Sequence, residues 1–390
     1  MESRKRIQKL LEKTEQREHI VVVGAGSIGQ LVENRLRTRN RKVECYFDND
    51  IFTIGTVING VRVCRPYKLD EKSLYIIAGN NPNNRLEMKQ QLLGQGIEEM
   101  DIFEFFLETR NYEDKSKLSD GEIKNILSDM YYERFWKELD WENPQTYTEK
   151  LNWEKLYARD ERKVKLADKY LVREYIKEKI GEEYLTKLYG VWNRAEDIDF
   201  SLLPDSFVLK TNNGSARNII VKDKSKIDEK DVKKQLDNWL KDNFYYNRFE
   251  YQYQNIDPKI ICEEYLEGLA ESLYDYDVFC FHGEPEYIWC INGSHRKGCK
   301  ASFYNKDWVM QPFSFGYPLD EKTAPKPEKL DQILELSRIL SEGFEHVRVD
   351  WYQVPTSKHG ILFSELTFTT WSGLNRFWPD DYDEKMGSLI

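Results

Sequence analysis

HVRVDWYQVPTSKHGILFSELTF, residues 346–368, is the stretch on which the reading of this chain turns. His346, Arg348 and Asp350 alternate with Val347, Val349 and Trp351, the period of a strand that buries one face. Pro355–Gly360 supplies a turn, and Ile361–Phe368 returns as a second strand carrying Glu365 and Thr367. Such a hairpin sets an arginine, two carboxylates and a hydroxyl at one end of a sheet. Mg²⁺ prefers one or two carboxylates together with substrate phosphates, so the hairpin suggests a nucleotide-phosphate site. Acids on alternating strands also occur on solvated faces, and the upstream sequence has to decide between the two.

Upstream, Lys165–Ile176 reads as a helix with Asp168 and Lys169 in its first turns. Phe207–Lys210, Thr211–Asn218 and Ile219–Lys222 read as strand, polar loop and strand. A loop rich in free N–H groups and hydroxyls suits closure over phosphates. Lys210 ends an apolar strand and carries a charge that a phosphate would satisfy. Ile260–Gly268 is a buried strand that runs into Glu263, Glu264 and a turn near Leu266. Two further strands follow, Tyr274–Phe281 and Glu286–Ile291. Ile123, Ile126, Leu127, Met130, Phe135 and Trp136 recur at helical spacing and read as core.

Near the start, His19–Val23 is a buried strand, Gly24-Ala-Gly26-Ser-Ile-Gly29 a glycine turn opening a helix, and Lys42–Asp48 a second strand ending in an acid. This is the pattern of a mononucleotide-binding βαβ unit. Gly24 allows the tight turn, Gly26 the approach of a phosphate, and Gly29 the packing of helix on strand. Asp48 is placed to accept from a ribose. The alternative is a glycine turn that only packs a helix on a strand. Asn111–Gly121 is polar and charged and reads as the boundary between two domains, 1–115 and 120–390.

The chain has 390 residues, 40% of them hydrophobic, enough for two cored domains. A net charge of −10 disfavours nucleic acid as a partner, since a phosphate backbone needs a basic footprint. The six cysteines include no CxxC pair and the five histidines show no zinc spacing. The first eighteen residues suit an amphipathic helix, docked on the protein or, less simply, lying at a membrane surface. No signal peptide or transmembrane run stands out, so a cytoplasmic protein is expected, at most peripheral to the inner face of the membrane.

The order Asp168-Lys169, Lys210 with its glycine loop, Glu263-Glu264, Arg348-x-Asp350 and Glu365-x-Thr367 resembles the ATP-grasp superfamily. Asn143–Trp153, Ala167–Tyr175, Glu263–Leu266 and Glu365–Thr369 make it similar, more narrowly, to the TupA-like ATP-grasp family, over residues 120–390. The first 110 residues resemble nucleotide-sugar-binding modules fused to bacterial surface-polysaccharide enzymes, through Phe47–Asp50 and Ile58–Val63. The resemblance implies an α/β Rossmann-like parallel-sheet domain followed by an ATP-grasp fold of two α+β lobes.

It further implies ATP and Mg²⁺ as cofactors in a cationic cleft. Lys169 and Lys210 would contact phosphates, with Asn213, Gly214 and Ser215 as the flap over them. Glu263, Glu264 and Leu266 would face the adenine edge, and Asp275 the ribose. Asp350, Glu365 and Thr367 would ligate the metal, with Arg348 at the transferred phosphoryl group. Arg296, Lys297 and Lys300 offer charge for an acidic acceptor, or form a solvated loop. Two positions depart from the family: Asp277 stands where a lysine is usual, and Thr370-Trp371 where Pro-Gly is usual. Trp371 offers a platform for a sugar ring.

The implied activity is ATP-dependent ligation of an amine or amino acid to a uronic acid in surface-polysaccharide biosynthesis, through an acyl phosphate. The N-terminal module would hold a sugar nucleotide or organise a homodimer. The alternatives are a sugar kinase or glycosyltransferase-like enzyme of the same pathway, a non-catalytic nucleotide-binding protein, and an NAD-dependent dehydrogenase resting on Gly24, Gly26, Gly29 and Asp48 alone.

Overall fold

A computed structural model describes residues 2–108, 115–266, 274–292, 299–320 and 322–390. The chain forms two compact units, Met1–Leu139 and Asp140–Ile390. Among the described residues no helix is long and apolar enough to cross a membrane.

The N-terminal unit is built on a six-stranded sheet of order β3-β4-β2-β1-β5-β6. Its strands are β1 (His19–Val23), β2 (Cys45–Phe47), β3 (Val57–Ile58), β4 (Val61–Cys64), β5 (Ser73–Ala78) and β6 (Ile102–Phe105). β4, β2, β1, β5 and β6 run parallel, and β3 adds an antiparallel edge. The near-continuous apolar runs of β1 and β5 are buried, as a parallel sheet covered on both faces requires. The first helix, Glu2–Glu15, docks through Ile7 and Leu10, which lie within the same core as β1 and β5.

This unit extends further than the 115–120 boundary expected from composition. Ser119 and Glu122 form a reciprocal capping box that starts the helix Asp120–Phe135. The helix buries Ile123, Ile126 and Leu127, and Trp136 after it joins the N-terminal core. Arg4 then holds Glu138, Nε to Oε1, at 3.0 Å. The chain leaves this core only after Leu139.

The glycine turn is sterically determined. Gly24 adopts φ +100°, and a Cβ on Gly29 would lie 1.8 Å from the Gly24 carbonyl oxygen. A Cβ on Gly26 would meet nothing within 4 Å. Asp48 braces the turn, one carboxylate oxygen accepting the Ala25 N–H at 2.7 Å and the other the Asp50 N–H at 2.9 Å. Gly29→Ala is therefore expected to destabilise the unit by about 1–3 kcal/mol through overpacking. Gly26→Ala stays within about 0.5 kcal/mol of the parent. Chemical unfolding of the two variants checks the contrast.

The C-terminal unit holds two antiparallel sheets. The smaller has four strands in the order β7-β10-β8-β9: β7 (Leu188–Trp192), β8 (Phe207–Thr211), β9 (Asn218–Val221) and β10 (Ile260–Glu264). It packs on the helix Glu229–Lys241 through Val232 and Leu236. The larger has five strands in the order β13-β12-β11-β15-β16. These are β11 (Tyr274–Phe281), β12 (Glu284–Asn292), β13 (Lys300–Asn305), β15 (His346–Gln353) and β16 (Ile361–Thr367). A ribbon of β14 (Ser314–Phe315) and β17 (Phe377–Trp378) completes the unit.

β15 and β16 are the hairpin expected from residues 346–368. Val347, Val349 and Trp351 enter the core with Ile333, Leu336 and Leu340 of the helix Leu330–Ser341. The other face of β15 carries His346, Arg348 and Asp350. Register sets Arg348 opposite Thr367 and Asp350 opposite Glu365, with a bulge between Asp350 and Trp351. On the other side of β15, Asp277 of β11 lies directly opposite Asp350. His346 is buried and neutral. Tyr147 Oη lies 2.8 Å from its Nε2 and the Cys280 carbonyl 2.9 Å from its Nδ1, and burial pushes its pKa down to about 3.

Candidate active site

Both sheets of the C-terminal unit contribute to one cavity of about 760 Å³. The smaller sheet supplies Lys210 and Glu263, the larger Asp277, Arg348, Asp350 and Glu365. Lys169, Ser215 and Asp275 line it as well. The four residues expected to meet, Lys169, Lys210, Asp350 and Glu365, thus share one cavity.

Arg348 is the hub of the acidic wall. Its Nε donates to Asp350 Oδ1 at 2.7 Å while Nη2 donates to Oδ2, a bidentate fork. The same guanidinium lies 3.4 Å from Asp277 and 3.6 Å from Glu365. Thr367 Oγ1 bridges the row, 3.0 Å from Glu365 Oε1 and 3.4 Å from Asp350 Oδ2. Burial pushes Asp350 up to about 6 against the pull of Arg348. Burial also drives Asp277 well above the usual carboxylate range. Glu365 goes the other way: burial would raise it, but Lys169 and Arg348 together bring it below its ordinary value.

The lysines are also matched to acids. Lys210 Nζ lies 2.8 Å from Glu263, whose other oxygen receives Arg173 at 2.8 Å. Burial would lower Lys210, yet Glu263 outweighs it and the pKa rises. Lys169 stands 3.9 Å from Glu365, and burial keeps its pKa below the ordinary lysine value. The cleft is therefore not simply cationic: each of these lysines and Arg348 already faces a carboxylate. An entering phosphate competes for cations that are positioned but engaged.

Lys169 does not sit within a helix as expected. One helix ends at Ala167 and the next spans Val172–Lys179. The reason is Asp168, whose Oδ1 accepts the N–H groups of Tyr170 at 2.7 Å and Leu171 at 3.1 Å, an alternative to the helical ladder. Its Oδ2 receives Asn212 Nδ2 at 2.8 Å. Asn212 Oδ1 accepts the Lys259 N–H at 2.6 Å. Asp168 and Asn212 thereby tie the Lys169 turn to the root of the polar loop, and Lys169 Nζ donates to the Gly214 carbonyl within that loop. A Cβ on Gly214 would come within 2.9 Å of the Phe244 ring, so the loop backbone lies close against it.

The other expected residues divide between the cavity and its surroundings. Glu263 lines the cavity and is engaged with Lys210 and Arg173. Glu264, next along β10, points to the opposite side and is exposed. Leu266, Asn213 and Gly214 do not line the cavity, although Ser215 does. Lys300 is exposed at the start of β13, and Arg296 and Lys297 lie outside the described residues. Gly24, Gly26, Gly29 and Asp48 belong to the N-terminal unit.

Sequence reading missed a second polar group on the cavity. Buried Thr369 donates to Glu250 and receives Gln252 Nε2 at 2.6 Å. Thr369 is two residues beyond Thr367, but nothing in the pattern around Glu250 links it to that strand.

Residues 149–390 match the family described as TupA-like ATPgrasp. No curated protein matches the chain. Among solved structures, the N5-carboxyaminoimidazole synthase of Aspergillus clavatus with ADP and 5-aminoimidazole ribonucleotide is similar at 11% identity, TM-score 0.31, covering 90% of this chain and 70% of that one. The D-alanine–D-alanine ligase of Bacillus anthracis complexed with ATP is similar at 11% identity, TM-score 0.31, covering 90% and 85%. The ATP-grasp ligase PsnB with its minimal precursor shows 12% identity, TM-score 0.29, covering 89% of each chain. TM-scores this low leave the fold to be judged from the chain's own sheets and from the family match.

Proposed function

The chain belongs to the TupA-like ATP-grasp family, and from that membership we propose that this ATP-grasp ligase joins an amine or amino acid to a uronic acid of a surface-polysaccharide precursor. The observation that carries the reading is the convergence of Lys169, Lys210, Arg348, Asp350 and Glu365 on one cavity, from both sheets of the unit. Lys169 and Lys210 hold the phosphates of ATP, under the loop that contains Asn213, Gly214 and Ser215. Asp350, Glu365 and Thr367 would hold Mg²⁺, Asp350 by yielding part of its fork with Arg348. Two carboxylates and a hydroxyl are hard oxygen donors, and they leave positions for substrate phosphates. The ion would supply neutralisation of charge on the transferring phosphoryl group.

A carboxylate oxygen of the uronic acid attacks the γ-phosphorus, the bond to the β-phosphate oxygen breaks, and ADP leaves. The amine then attacks the acyl carbon, inorganic phosphate departs with the bonding pair, and the new amide nitrogen loses a proton. Arg348 faces the phosphoryl group and then the oxyanion, and the protein works by position and charge. Release of ADP and phosphate from Mg·ATP is expected only with a uronic acid and an amine together. Absence of turnover across a broad panel of both counts against the reading. A stable phosphorylated sugar formed without amine identifies a kinase instead.

A further inference from the structure

A turn beside this site is built in a way that the ligase reading does not use. Trp371 lines the cavity and is 37% exposed. It sits at φ +51°, followed by Ser372 at +56° and Gly373 at +59°. Two consecutive residues with side chains in the left-handed region are strained, and such strain persists only where the surroundings impose it.

The surroundings are specific. Asn152 Nδ2 donates to the Gly373 carbonyl at 2.7 Å. Lys155 Nζ donates to the Ser372 carbonyl at 2.7 Å and to Asn152 Oδ1 at 2.9 Å. Asn152 and Lys155 are both fully buried. Among the described residues Lys155 has no carboxylate within ion-pair distance. Burying a lysine without one is unfavourable, and burial pushes its pKa down to about 7. Packing alone would be served better by an apolar side chain. The indole is fixed in turn by Tyr317, edge-on at 5.4 Å between ring centroids, and by Gly316, where a Cβ would stand 3.4 Å from Trp371 Cε2. Arg248 lines the cavity next to it, with Nη1 3.5 Å from the Trp371 carbonyl and no carboxylate partner among the described residues.

We propose that Lys155 and Asn152 are positioning residues that hold the left-handed Trp371–Gly373 turn, so that the indole offers its face to a pyranose ring and Arg248 meets the carboxylate on that ring. The class of acceptor is a hexuronate. An aromatic face covers the apolar C–H face of a pyranose without competing for its hydroxyls. The guanidinium selects the acid from the neutral sugar. The proposal rests on the ligase reading for the identity of the acid, but its parts are separable.

The test uses the full chain with ¹⁵N-labelled tryptophan, and methyl β-D-glucuronide and methyl β-D-glucoside as probes. Mg·ATP binding is measured separately by calorimetry. The glucuronide is expected to shift the indole signal that Trp371→Phe removes. Trp371→Ala and Lys155→Met are each expected to weaken it about tenfold or more, with Mg·ATP binding retained. Adding Ser372→Gly to Lys155→Met should restore most of the affinity, because glycine adopts the left-handed turn without the pin. Arg248→Gln should remove the preference for glucuronide over glucoside. The proposal is overturned if the glucuronide leaves the Trp371 signal unmoved, if Trp371→Ala binds it normally, or if Ser372→Gly gives no recovery. Trp371→Ala decides the matter even if Lys155→Met does not fold. Failure of the parent protein to bind Mg·ATP would overturn the ligase reading and leave the sugar result standing.

Discussion

Glu365→Gln is expected to lower turnover by about 10³-fold while the protein stays folded. Glu365 is only half-buried and sits at the end of the hairpin, so an isosteric amide disturbs little packing. Its charge is what matters. Lys169 at 3.9 Å and Arg348 at 3.6 Å both draw on it, and Thr367 holds one of its oxygens at 3.0 Å. The amide removes an oxygen that the proposed function gives to the metal, and it releases Lys169. Lys210→Ala should have an effect of similar size for the opposite reason. It removes a cation held at 2.8 Å by Glu263 and leaves that acid with Arg173 alone. ADP release with the acid and amine present, together with a thermal melt, checks both variants. Ordinary turnover in the two would remove the site assignment.

Arg348→Met should act on stability as strongly as on activity. The side chain is buried in a fork with Asp350 and lies 3.4 Å from Asp277. Taking away one partner of a buried ion pair typically destabilises by about 3–5 kcal/mol, because the remaining charge is left without compensation. The loss has a direction in pH. Burial holds both acids above the ordinary aspartate value of 3.8, Asp350 at about 6. Between 3.8 and the raised value the folded state binds more protons than the unfolded chain, so the contribution of these groups to stability falls as pH rises through that window. Arg348 opposes the shift in both. Without it the window widens upward, and the variant suffers most at neutral and alkaline pH and least where both acids are protonated. Urea unfolding of parent and variant near pH 5 and near pH 8 should show the larger gap at the higher pH. An equal gap would mean that Arg348 does not compensate these acids.

The hairpin was legible because its two periods and its turn are local. A strand alternates by geometry, and Arg348, Asp350, Glu365 and Thr367 could be placed at one end of a sheet before any partner was known. Lys169 shares the cavity with the hairpin residues as expected, but its conformation was not legible. The residues around it favour a helix, and only the side chain of Asp168, held from outside by Asn212, breaks it. That link spans distant sequence, and no local pattern announces it. The partnership of Lys210 and Glu263 was missed for the same reason: Lys210 and Ile261 are cross-strand neighbours, which brings the two side chains together only once β8 and β10 pair. The helix Asp120–Phe135 shows an apolar stripe, and a stripe says that a core exists without saying which one. The left-handed turn at Trp371 carried no glycine or asparagine signal at the residue itself, so its shape had to come from buried contacts with Asn152 and Lys155.

The bulge after Asp350 has its own consequence. Opposite Trp351 stands Phe363, and opposite Asp350 stands Glu365, so Ser364 is the unmatched residue. On an uninterrupted strand, residues two apart share a side. Phe363 and Glu365 would then both turn inward or both turn outward. The surplus serine shifts the phase by half a period, letting the phenylalanine join the core while the glutamate reaches the cavity. Spacing along β16, and not merely the kinds of side chain it carries, therefore decides which residues reach the cavity. A chain that kept every acid and lost Ser364 would keep the inventory and turn Glu365 away from the cavity.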